Sequence, residues 1–453
     1  MIFLIKAIQL ILSLSFLVII HEFGHFIFAR LFGMRVEKFY LFFNPSFTIF
    51  RCKKINGSWK CIWFSSNDKH FEDDTESMET EWGIGWLPFG GYCKISGMID
   101  ESLDTAQMKK EPQPWEFRTK PAWQRFFVMA GGVTVNFIAA LVIYSAILFT
   151  WGENYLKMSD TALEFSEIAQ QYGYKNGDRI LAIDNEPTGK FDESTLLRLL
   201  EAENVTIIRE NDTLQITPPK GLAREVIKKQ EAFVTIFIPA TVDSVMNTAP
   251  AFGLLKPDDR FVKIGATPVN SFGDLTKALA ANTSDTISAS VLRGSDTVSI
   301  SIPLTEDKKI GFYVKNPLNI QTQTFNIWQS IPAGVSYGLN KLSYYIKQMK
   351  FIFTKEGAEN IGGFGAIGSM FPSFWNWQAF WETTAFLSII LAFMNVLPIP
   401  ALDGGFILFL LYEIIFRRKP SEKFLMKAQL IGMAFLFTLL IYANGMDILR
   451  IFK

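Results

Sequence analysis

The chain has 453 residues, 49% of them hydrophobic and 15% aromatic, and its 44 lysines and arginines balance 44 aspartates and glutamates. That length allows roughly two to four domains, and the apolar composition indicates a membrane protein with a sizeable soluble part. No basic stripe with interleaved aromatics is present, so nucleic acid is excluded as a partner.

Residues 1–32 read as a first transmembrane helix. Phe3-Leu4-Ile5 and Leu10 through Ile20 are nearly all apolar, and Lys6 is the only charge before Glu22. A cleaved signal peptide fits poorly, because there is one early lysine, no small-residue cleavage site, and renewed apolar character at Phe26-Ile27-Phe28-Ala29. At the end of the run stands His21-Glu22-Phe23-Gly24-His25, an H-E-x-x-H pattern holding two of the chain's three histidines. Residues four apart on a helix share a face, so both imidazoles can reach one metal ion while Glu22 touches a water on it. The pattern is short enough to arise by chance in a soluble helix. A charge inside a membrane segment is costly, however, and marks a functional site.

Residues 33–123 form a loop that carries all three cysteines. Cys52 and Cys61 flank Asn56-Gly57, a dipeptide of tight β-hairpins, and their spacing is not that of a zinc knuckle. An odd count, all in one loop, argues against a structural disulfide. His70, among Asn67, Asp68, Glu72, Asp73 and Asp74, reads as a solvated loop residue. A second span covers 124–151. Beyond it, two segments, 155–220 and 230–318, share a pattern: Tyr174 to Asp184 is echoed by Leu255 to Gly265, each a turn into a strand of period two, followed by a short helical stretch. Residues 325–382 connect to the next span. Within them Gln329 to Lys355 is amphipathic and suits either the outer membrane surface or packing under the modules.

A third span, 383–416, is interrupted at Asn395-Val396-Leu397-Pro398-Ile399-Pro400-Ala401-Leu402-Asp403-Gly404-Gly405. A catalytic zinc needs three protein ligands and an open position, so a third ligand must be a carboxylate or cysteine at membrane depth. Asp403 is the candidate, against the plainer reading of an aspartate at a helix end near the surface. Broken helix at that depth is tolerated where it is buried in protein or lines a watery cavity. A fourth span, 424–446, follows Arg417-Arg418-Lys419-Pro420-Ser421-Glu422-Lys423, a basic turn that belongs in the cytoplasm. Parity then puts the 33–123 loop in the cytoplasm, and the two modules and both termini outside.

H-E-F-G-H in the first span and N-x-x-P-x-x-x-L-D-G in a later one resemble the site-2 protease family of intramembrane zinc metalloproteases. Trp86 through Lys94 is similar to that family's membrane-associated hairpin, and Gly132-Val133-Thr134-Val135-Asn136 to its second-span G-x-x-x-N signature. Paired PDZ-like modules resemble the bacterial, sigma-E-regulating branch. The likeness covers nearly the whole chain, with departures at Phe42-Phe43-Asn44-Pro45, where members carry G-F-G-P, and at Phe364 in Gly362-Gly363-Phe364-Gly365-Ala366-Ile367.

The resemblance implies a polytopic α-helical membrane protein of about four transmembrane helices, with a membrane-associated β-hairpin and two exported α+β PDZ-like domains. It implies Zn2+ held by His21, His25 and Asp403, with Glu22 as the catalytic base. Asn136, Asn395, Gly90, Gly91 and Tyr92 are then substrate-binding residues. The expected location is the bacterial inner membrane, with the modules in the periplasm. Expected substrates are pre-trimmed single-span membrane proteins, such as an anti-sigma factor or signal-peptide remnants, delivered by an upstream site-1 protease in the lipid bilayer. The competing class is a noncatalytic scaffold that binds partners through its PDZ pair.

Overall fold

The computed structural model describes residues 2–66, 71, 78–98, 111–229, 232–305, 308–352 and 362–451, so His70 lies outside the described residues. The chain divides into two units, one made of Met1–Gly152 with Thr324–Lys453 and the other of Glu153–Gln323.

Among its described residues the first unit contains seven α-helices: α1 (Ile2–Leu31), α2 (Ala122–Trp151), α3 (Ile327–Ile352), α4 (Phe364–Ser369), α5 (Trp377–Val396), α6 (Asp403–Phe416) and α7 (Glu422–Ile451). Among the described residues, Ile2–Leu31, Ala122–Trp151, Trp377–Val396 and Lys423–Arg450 are long and apolar enough to cross a membrane. Helix α5 stops at Val396 and α6 starts at Asp403, because Pro398 and Pro400 cannot continue a helical hydrogen-bond ladder. Helix α3 packs against α2 and α5. Gly334 and Gly338 let it close on Ser145, Leu141 and Tyr144 of α2, and Tyr345 packs edge-on against Phe386 and Phe393 of α5. Part of its apolar surface is covered in this way, while Trp328, Ile331, Leu339 and Ile346 stay exposed.

Between α1 and α2 runs a five-stranded mixed sheet: β1 (Val36–Phe43), β2 (Phe47–Ile55), β3 (Ser58–Ser66), β4 (Glu81–Ile84) and β5 (Leu87–Ile95), in the order β3-β2-β4-β1-β5. The expected separate hairpin around Gly90-Gly91-Tyr92 is instead the terminal strand of this sheet, since β1 lies between β4 and β5 and pairs with both. Asn56 and Gly57 turn β2 into β3 with φ of 50° and 81°, as the two-residue hairpin requires. That register sets Cys52 opposite Cys61, and the two form a disulfide, against the expectation of none. The physical reason is register: directly paired residues point to the same face of the sheet, at side-chain bonding distance.

The second unit holds two cores, one around Tyr174, Ile180 and Leu199 and the other around Phe261, Leu275 and Val291. Each is covered by a four-stranded sheet with the same connectivity: Glu186–Pro187, Arg179–Ile183, Val205–Arg209 and Asp212–Ile216 in one, Thr267–Pro268, Arg260–Ile264, Thr286–Arg293 and Asp296–Pro303 in the other. The sequence echo has a matching contact. Asp178 accepts from Lys175 N and from Arg209 Nε and Nη2, and Asp259 accepts from Lys256 N and from Arg293 Nε and Nη2. Burial works to raise the Asp259 carboxyl, but the Arg293 guanidinium and the Lys256 N–H hold it below its ordinary 3.8. A lowered folded pKa contributes stability that is present above the ordinary value and lost as pH falls through the lowered one. Hydrogen-exchange protection in Thr286–Arg293 should therefore decline below about pH 3.8 in the native chain. Asp259→Asn, with no charge to lose there, should show no such decline, and equal declines in both would refute the assignment.

Candidate metal centre

The centre is assembled where α1, α2 and the start of α6 meet. His21 and His25 lie one turn apart on α1, with ring centroids 4.8 Å apart at 84°. Their Nε2 atoms stand 3.2 Å from each other and 3.0 Å and 3.3 Å from Asp403 Oδ2. These three donor atoms form a cluster, among the described residues, that could hold a metal ion. Asp403 Oδ2 is buried without a hydrogen-bond partner although two ring nitrogens flank it. Three atoms of ligating type that face one point fit a tetrahedral cation with an open fourth position.

Local sequence produces each placement. His25 Nδ1 donates to the Val128 carbonyl at 2.8 Å, since a carbonyl can only accept. Helix α1 reaches α2 through glycines: a Cβ at Gly24 would lie 2.4 Å from Gly131 O, and one at Gly131 would lie 2.7 Å from Gly24 O. Small residues of this kind let membrane helices approach backbone to backbone. Asp403 opens α6 after a turn in which Leu402 N donates to Ile399 O and Gly405 N to Leu402 O. A Cβ at Gly404 would meet Leu397 O at 2.1 Å, so the D-G-G run is what lets this loop fold back on itself. Gly432 of α7 gives the same close approach to Pro400 O.

A cavity of about 690 Å3 opens onto the cluster, lined by His21, Glu22, His25 and Asp403 together with Gly91, Tyr92, Cys93 and Asn395. The main-chain N–H of Cys93 faces the Glu22 carboxylate. Tyr92 stacks on Tyr40 and donates to Asn44 Oδ1 at 3.0 Å, so the departure from G-F-G-P supplies an anchor for a cavity residue. Gly90, at φ 144°, packs beside the Phe43 ring. Asn136 is 1% exposed and lies against His21, its Nδ2 3.3 Å from His21 Nδ1. Sequence reasoning gave Gly132, the first residue of the G-x-x-x-N signature, no role at the histidines, yet a Cβ there would lie 2.6 Å from His25 Nε2. The Gly131-Gly132 pair in an apolar span was the available signal. It missed Lys38, Phe43 and Met129 of the cavity wall as well, which carry no local signature.

Comparison with known proteins gives one consistent picture. A model of Peptidase family M50 matches residues 9–64 and 71–439. The chain is 25% identical to Metalloprotease MmpA of Caulobacter vibrioides over 99% of this chain and 96% of that one. Proteins of Vibrio cholerae and Borreliella burgdorferi, provisionally named zinc metalloproteases, are 25% and 24% identical, each over 98% of this chain and over 98% and 99% of their own lengths. With a family match across most of its length, four helices able to cross a membrane among the described residues and three donors able to hold a metal ion beside a glutamate, the chain belongs to Peptidase family M50 and is an integral membrane metalloendopeptidase.

Proposed function

We propose that the chain is a zinc-dependent intramembrane endopeptidase that cuts the transmembrane segments of single-span proteins already shortened outside the membrane. An anti-sigma factor and signal-peptide remnants are the substrates this reading favours, with a site-1 protease making the earlier cut. The observation that carries it is the convergence of His21, His25, Asp403 and Glu22 on one cavity among apolar helices.

His21, His25 and Asp403 would hold Zn2+, which when bound would supply a Lewis acid for the scissile carbonyl and a water whose pKa is about 7. Glu22 takes a proton from the attacking water and returns it to the leaving nitrogen. A transmembrane helix resists cleavage while its carbonyls are bonded within it, so the site must hold the substrate extended. Strand β5 supports this step: it ends the sheet, and Gly91, Tyr92 and Cys93 line the cavity, so an extended segment can add along its outer edge. The Asn395 amide, also on the cavity wall, can donate to and accept from an unwound backbone.

The repeated modules of the second unit support a PDZ-like pair, for which the family resemblance implies a filter on the size of the exported part and a ligand sensor is the alternative. The basic Arg417–Lys423 turn supports an inner-membrane orientation with the sheet in the cytoplasm and the modules in the periplasm. Water then reaches the metal from the cytoplasmic side. A noncatalytic scaffold would have no need to keep Glu22 beside a complete ligand set.

Glu22→Gln is expected to lower cleavage of a model transmembrane substrate by roughly 100- to 10,000-fold while zinc content and melting temperature stay at the wild-type level. Undiminished cleavage would sink the mechanism. Proteomics on membranes carrying the variant should reveal uncut single-span fragments and so identify the natural substrate.

A further inference from the structure

The geometry points to Asn136 as the residue that orients His21 for metal binding, in place of the substrate-holding role its motif suggests; this rests on the zinc-peptidase reading of the site. His25 supplies the comparison. Its Nδ1 must carry the proton, because its partner there is the Val128 carbonyl, and that leaves the Nε2 lone pair free for a metal. His21 Nε2 faces the same point, 3.0 Å from Asp403 Oδ2 and 3.2 Å from His25 Nε2, so it is a ligating atom too. Its Nδ1 then carries a proton and needs an acceptor.

The group at that nitrogen is the Asn136 amide, 3.3 Å away through Nδ2. In that orientation two donors would face each other. The oxygen and nitrogen of an amide are interchanged by a half-turn about the last side-chain bond. The other end of this amide, Oδ1, is buried with no hydrogen-bond partner. One rotation therefore gives the ring N–H its acceptor and the orphaned oxygen its donor. The residue is also fixed from behind, since Ser388 Oγ donates to the Asn136 main-chain carbonyl at 2.8 Å across the α2–α5 contact. Metal-binding histidines commonly depend on such a partner at the second ring nitrogen, which sets both the tautomer and the ring plane. An extended substrate in the cavity meets Asn395, which lines it, whereas Asn136 is 1% exposed.

The test is zinc affinity of the full-length protein in detergent, measured by competition with a chelator, together with the visible spectrum of the Co2+-loaded form. Asn136→Leu, which cannot accept, should weaken zinc binding by about 10- to 100-fold and change the Co2+ spectrum. At saturating zinc its KM should match wild type. Asn136→Asp, which keeps an acceptor, should restore both affinity and spectrum. Melting of the metal-free proteins separates these effects from misfolding: if the leucine variant melts early, the aspartate variant and its spectrum still decide. Wild-type affinity in Asn136→Leu with a raised KM would overturn the inference and return Asn136 to substrate binding. A wild-type protein that binds no zinc, or one whose affinity is unaffected by His21→Ala, would instead defeat the underlying reading of the site.

Discussion

The Gly132→Ala protein is expected to fold, to enter the membrane and to lack its metal. The added methyl would stand 2.6 Å from His25 Nε2 and 2.9 Å from His21 Nε2, on the atoms that must face the ion. Neither ring can retreat far. His25 is tied to the Val128 carbonyl and His21 to Asn136, and moving either breaks the match to Asp403 Oδ2. Removing a metal's charge stabilisation costs several kcal/mol of barrier, and each ~1.4 kcal/mol is tenfold in rate. Cleavage should therefore fall by about 1,000-fold, in step with zinc content measured by atomic absorption. An alanine variant that keeps full zinc would show that the rings do not approach α2 in this way.

Loss of the Arg125 charge is expected to be the most damaging change to stability. Arg125 of α2 and Glu413 of α6 form an ion pair whose side chains are only 10% and 12% exposed. The Arg125 Nε also donates to Lys120 O, and its guanidinium lies 5.9 Å from the Phe117 ring. Taking away one partner of a buried pair leaves an uncompensated charge, at a cost of about 3–5 kcal/mol. Arg125→Met should lower stability in detergent by that amount, and Arg125→Met with Glu413→Leu should recover most of it, because two apolar groups of similar size leave no charge behind. Zinc affinity should fall in the single variant as well, since α6 begins with the ligand Asp403. Equal melting of all three proteins would mean that the pair carries no stability.

Much of the site was legible because its chemistry is written in short, local patterns. H-E-F-G-H declares a helix face by spacing alone, and a lone aspartate between prolines and glycines declares a break in an apolar stretch. The repeat of Lys175 to Asp178 at Lys256 to Asp259 was visible too, because each turn is closed by its aspartate on the main-chain N–H three residues earlier. Other features had no local signature. The insertion of β1 between β4 and β5, which leaves β5 at the edge, depends on pairing between segments far apart in the chain. The Cys52–Cys61 bond follows from hairpin register, and counting cysteines pointed the other way. The packing of α3 on α2 depends on Gly334 and Gly338 meeting particular side chains of another helix.

The residues proposed to hold the metal and move the proton follow from the order of amino acids, since coordination chemistry admits few side chains and a helix places two of them at a fixed spacing. The arrangement around them required the folded chain. Bringing Asp403 to His21 and His25, clearing space at Gly132, and giving His21 its partner in Asn136 all join atoms from different helices. Such contacts arise from packing, where a gap of a few tenths of an ångström decides whether a ligand, a methyl group or a hydrogen bond fits.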